Sequence, residues 1–222
     1  MDKRGTVNIE NKVKMLGIHE EDIALTKKQR ERFHQLLEEL NRSANACQIM
    51  QENQLELVRN QLEARGLSPS DVRDLTFALA SPAHENPTNA DILESDRFLL
   101  ARFNAAIKLV SETASSLHDI NLLDQSILLR RNLENTTIAI KKTLLSNSIE
   151  PQRMPAFRGL EQALDEETKS FLGMETERST SDSTDNMGHV MLCIVRNTGI
   201  LQDMKEMLIK LANHIGYMIK SL

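Results

Sequence analysis

The chain has no tryptophan, one tyrosine and six phenylalanines in 222 residues. Globular enzymes and β-proteins lean on aromatic side chains for core and pocket walls, whereas long helices packed side by side do not need them. The same shortage argues against a ligand-sensing module built round a pocket. Five prolines and eight glycines are few and clustered, which leaves long stretches with nothing to stop a helix. The two cysteines, Cys47 and Cys193, sit inside helical apolar patterns without metal-ligand spacing and read as buried small hydrophobes. The opening stretch MDKRGTVNIENK lacks the apolar segment of a secretory signal, so an intracellular, cytoplasmic protein is expected. The run Val190 to Val195 is apolar throughout but far too short to span a bilayer.

A positive excess is missing as well. Against 32 acidic residues stand 27 Lys and Arg, for a net charge of −5, so no direct nucleic-acid binding is expected. The densest basic cluster, Lys27, Lys28, Arg30 and Arg32, is surrounded by Glu20, Glu21, Asp22 and Glu31 and reads as a solvated helix face. There is no Gly-rich phosphate loop, nucleophile elbow or HExxH. The six histidines are scattered; His34 and Glu38 share a helix face, but a metal site needs a third ligand that the sequence does not place nearby. No enzyme activity, metal or cofactor is expected.

What is present is helical periodicity. From 187 to 222 apolar residues recur at spacings of three and four: Met187, Val190, Ile194, Leu201, Met204, Leu208, Leu211, Ile215, Met218 and Leu222, with Asn197 in one slot. A repeat averaging 3.5 residues predicts a helix packed along its length against others. Few charges flank the stripe, so its apolar face is too broad for a two-stranded zipper and calls for at least two neighbours. Asn197 takes a d position, where a buried Asn fixes register or partner number; a tolerated peripheral Asn beside Gly199 is the alternative. Six of the ten methionines lie between 174 and 222, either as core filler or as a surface that repacks against a partner. These stripe residues, Asn197 included, are the candidate partner interface.

In chain order, residues 1–18 form an N-terminal arm, with a short helix between Thr6 and Gly17. Carboxylates at 20–22 and a capping pair Thr26/Gln29 start a helix that runs without Gly or Pro to Arg65, where Gly66 ends it. Its seam is Phe33, Leu37, Leu40, Ala44, Cys47, Gln51, Gln54 and Val58, the Gln layers being weak or wet. Ser68, Pro69 and Asp71 write a helix start for a tip helix over about 69–80, followed by the loop SPAHENPTN. Ser68-Pro69 and Ser81-Pro82 read as cap and loop chemistry ahead of phosphorylation sites. A second long helix begins near Asn89, with seam Ile92, Leu99, Phe103, Ala106, Val110, Leu117 and Ile120. After His118-Asp119 the frame shifts to Leu122, Leu129, Leu133, Thr136, Ile140 and Leu144. A stutter or a break with Asp119 or Asn121 as cap would explain the shift; the continuous helix, ending by 146–148, is the expectation adopted. A shorter helix follows over about 155–172, with Gly173 as its stop. Residues 174–186 read as a flexible Ser/Thr/Asp linker, in which Ser179 and Asp182 make a loose acidic-directed kinase pattern.

The expected fold is therefore all-α and elongated: a long α-hairpin over 19–149 with a tip at 66–89, a short helix over 150–173, and a coiled-coil helix over 187–222. That last helix either folds back on the hairpin or completes a bundle with other chains, other helical proteins or copies of itself. The expected function is that of a non-catalytic scaffold or adaptor subunit. Residues Leu117 to Leu145, with Asn121, Ile127-Leu128 and Asn135, resemble the second helix of flagellar type III export chaperones over under one-fifth of the chain. That resemblance implies the alternative function: a chaperone holding amphipathic segments of partners before export or assembly.

Overall fold

The computed structural model describes residues 20–72, 75, 77, 87–154, 156–173 and 186–221, with side chains from 27 in the first helix and from 188 in the last. The arm over 1–18, the linker over 174–185 and Leu222 lie outside the described residues. The described chain is all-α: α1 Glu20–Glu63, α2 Asn89–Ser116, α3 Ile120–Ser146, α4 Leu160–Phe171 and α5 Asn186–Lys220, with one 3-10 turn, Pro69–Val72.

The second long helix is two helices, and the reason is local. Leu117 ends α2, His118 enters the left-handed region at φ 55°, and the next two N–H groups turn back. That of Asp119 donates to the Ala114 carbonyl and that of His118 to Ser115, closing a Schellman motif. The Asp119 carboxylate then accepts the Leu122 N–H at 3.0 Å as N-cap of α3. One residue thus serves both helices, its backbone N–H the end of α2 and its carboxylate the start of α3, and the frame shift in the sequence marks a reversal where a stutter was expected. Gly66 and Ser148, at φ 81° and 59°, close the same motif after α1 and α3.

The helices pack as a four-helix bundle in which each neighbour is antiparallel. Around the bundle the order is α1, α3, α2, α5, with α1 facing α2 and α3 facing α5 across the diagonals. Ser43 meets Thr136, and Gln61 meets Asp119, along α1 and α3; Asp96 meets His214, and Thr113 meets Arg196, along α2 and α5. The local hairpin is α2 with α3. In chain order the four run up, up, down, down, so two connections must each travel the length of the bundle.

Both connections are fastened by polar contacts. In the first, where a tip helix to about 80 is expected, 73, 74, 76 and 78–86 lie outside the described residues, a 3-10 turn spans Pro69–Val72, and Leu75 and Phe77 are non-helical and lie buried on α5. They sit over Gly199, where a Cβ would come within 2.7 Å of the Phe77 ring, and the Phe77 N–H donates to Asp203 at 2.7 Å. The second is held at one end by the buried pair Glu94 and Arg97, which take the Gln152 N–H and carbonyl. At its other end Asp165 of α4 accepts from Arg196 of α5 at 2.7 Å. Helix α4 starts later than the expected 155, after a left-handed Gly159, and Gly173 ends it.

Candidate interaction surface

The C-terminal stripe lies inside the chain. Ile194, Asn197, Leu201, Met204, Leu208, Leu211, Ile215 and Met218 are buried at 1% exposure or less, and Val190 packs at the margin. The side chain of Met187 lies outside the described residues, with Leu222. Of the two arrangements open to this helix, folding back is the one observed: α1, α2, α4 and the first connection cover it. The broad apolar face inferred from its flanks is the cause, since four elements of the same chain are needed to bury it. Met204, Met207 and Met218 are core filler.

A polar layer interrupts that packing. Gln51 is fully buried and donates to the Leu201 carbonyl at 2.7 Å. One turn along, the antiparallel sense brings Gln54 of α1 level with Asn197 of α5, both fully buried. Among the described residues neither amide finds a hydrogen-bond partner within the chain, a cost of about 1–3 kcal/mol for each group so placed. The layer sits on the expected Gln seam.

Two carboxylates and a histidine show how the seams handle charge. Burial pushes the Asp203 carboxyl up to about 6, against the Phe77 N–H that favours the ionised form; Glu206 and Glu167 raise it further and Lys210 lowers it. His214 is raised above the usual imidazole range, first by its hydrogen bond to Asp96, which it meets at 2.8 Å with Asp96 buried. The thiols of Cys47 and Cys193 are both pushed up by burial, the state of inert core cysteines. His34 and Glu38 form the expected pair, 3.7 Å apart. Among the described residues no cluster of His, Cys, Asp or Glu has metal-site geometry, and no helix is long and apolar enough to cross a membrane.

What remains open is the outer face of α3. Leu122, Leu129, Thr136 and Thr143 point into the core. On the opposite side, at alternating spacings of four and three, run Ile120, Asp124, Ile127, Arg131, Glu134, Ile138, Lys141 and Leu145, all exposed. Exposure reaches 72% for Ile120 and 46% for both Ile127 and Ile138; Ile49 on α1 and Ile209 on α5 are exposed too, but on α3 the exposed apolar residues recur at heptad spacing. Leu128, also exposed, widens the strip on one flank. This is a second heptad stripe on a helix already committed to the core by its first, and the sequence carries it openly. The stronger apolar frame of 122–144 overshadows it, because charged residues fill half its slots. The residues behind the chaperone resemblance, Asn121, Ile127, Leu128 and Asn135, all fall on this exposed side. Against family models, curated proteins and solved structures the chain shows no match.

Proposed function

We propose that the chain is a non-catalytic helical adaptor or scaffold subunit that binds other helices through the outer face of α3. The observation that carries this reading is the exposed heptad stripe from Ile120 to Leu145 on the side of α3 opposite its core contacts. Apolar residues at a/d spacing on an unpartnered helix face are the feature helix-on-helix recognition uses. The C-terminal stripe, already covered within the chain, packs on α1 and α2, and those two helices carry α3.

The test is a photoreactive residue placed at 127 in the full chain, expressed in its native cells, with Glu39 on exposed α1 as the control position. Position 127 is expected to give discrete protein adducts, identified by mass spectrometry, that position 39 does not. Equal labelling from both positions, or none from 127, would overturn the reading.

A second reading has its own support. The residues resembling export chaperones share the exposed side of α3, so the same face would hold amphipathic segments of partners only until delivery. A chaperone gives adducts with the termini of several transient clients; a subunit gives one stable, stoichiometric partner.

A further inference from the structure

The outer stripe of α3 is self-complementary, and we infer that its partner is a second copy of this chain, docked antiparallel through α3 about a two-fold axis. This inference rests on the reading of α3 as an interaction face and names what covers it.

In an antiparallel helix pair, a positions meet d positions of the other chain. Assign Asp124, Arg131, Ile138 and Leu145 to a, and Ile120, Ile127, Glu134 and Lys141 to d. With the axis between Asn132 and Leu133, every layer matches. Ile120 meets Leu145 of the other copy, Asp124 meets Lys141, Ile127 meets Ile138 and Arg131 meets Glu134; the second half repeats the first by symmetry. Apolar layers meet apolar layers, and each charge meets its opposite.

The alternatives fail by the same arithmetic. A parallel, in-register pair sets Asp124, Arg131, Glu134 and Lys141 each against its own copy, four like-charge layers. Sliding the antiparallel pair by one heptad either way puts Asp124 against Glu134 or Arg131 against Lys141, and an isoleucine against a charge. The charged slots thus select one orientation and one register, while the isoleucine layers supply most of the affinity, since solvent-facing ion pairs contribute little. The stripe also stands clear of the core: the residues diametrically opposite are the buried ones, so a second bundle can approach without disturbing the first.

The experiment is light scattering and sedimentation of the full chain over a wide concentration range, with three variants. The wild type is expected to dimerise. Arg131→Glu places Glu against Glu134 twice in the dimer, and Glu134→Arg places Arg against Arg131 twice; each is expected to weaken association about a hundred-fold. Arg131→Glu/Glu134→Arg restores both pairs and is expected to regain the dimer. All these positions are exposed, and circular dichroism checks that each variant folds. A wild type that stays monomeric, a dimer indifferent to Arg131→Glu, or a double variant without rescue would each overturn the inference. A monomer that still gives discrete adducts with other proteins from position 127 leaves the adaptor reading standing and removes only the second copy; loss of both removes the reading itself.

Discussion

Helices α5 and α3 carry stripes of the same period that meet opposite fates. The stripe of α5 has one polar slot, Asn197, and apolar residues on its flanks as well; α1, α2, α4 and the first connection cover it. The outer stripe of α3 alternates apolar and charged layers and stays in water. Period alone does not decide whether a stripe belongs to a core. The charge between the apolar layers decides it, since an ionised group buried inside the chain costs several kcal/mol unless paired, whereas on an outer face it is solvated until a matching surface arrives.

Truncation is the sharpest way to break this comparison. Leu208 is 1% exposed on α5, and Leu208→Ala is expected to cost about 2–5 kcal/mol in urea unfolding. Ile127→Ala on α3, measured on the monomer at high dilution, is expected to stay within about 0.5 kcal/mol. Comparable losses at the two positions would mean that the α3 stripe is part of the core. A smaller effect concerns the one polar slot. Replacing Asn197 by Leu removes an unpartnered buried amide and is expected to raise stability by about 1–2 kcal/mol at an unchanged denaturant slope. A stabilised chain that also changes its helix pairing, seen by cross-linking α1 to α5, would identify Asn197 as the residue that sets register.

The smallest effect is a pH dependence along α5. The Asp203 carboxyl lies at about 6 in the folded chain against an ordinary 3.8, so ionising it costs more folded than unfolded, and stability falls as pH rises from about 4 to 6. His214 is raised in the folded chain, so its contribution is complete below the ordinary imidazole value and fades as pH climbs through the folded one. Both slopes have the same sign, and the chain is expected to be firmest in mild acid. Asp203→Asn keeps an acceptor for the Phe77 N–H and is expected to flatten the lower window, gaining about 1 kcal/mol at neutral pH once solvent screening is allowed for. Thermal unfolding from pH 4 to 8 reads both parts.

Sequence reasoning reached the elements but not their arrangement. Helix ends with a glycine signal, Gly66 and Gly173, stand where expected, as does the start of α2, where Thr88 and Asp91 form a reciprocal cap. The reversal at His118 carries no glycine signal, since its left-handed residue is a histidine; the frame shift and the cap residue Asp119 together spell a break. The up-up-down-down order was not legible either, since it depends on where 64–88 and 147–185 run, and no local pattern states that. The outer stripe of α3 was legible in full: it needed only a heptad count that admits charged members.

The route of the two connections also orders the events of synthesis. The hairpin of α2 and α3 joins neighbours in sequence and can close as soon as both emerge, but Gln51 reaches its acceptor on Leu201 across 150 positions. Long-range pairings of this kind form late, and a chain made from its N-terminus exposes early what its last helix will cover. The flank of the α1 seam that faces α5, Gln51 among it, therefore stays unprotected until α5 leaves the ribosome, even after α3 has met Ser43 and Cys47. Over that interval the chain is itself an open amphipathic helix in need of shelter.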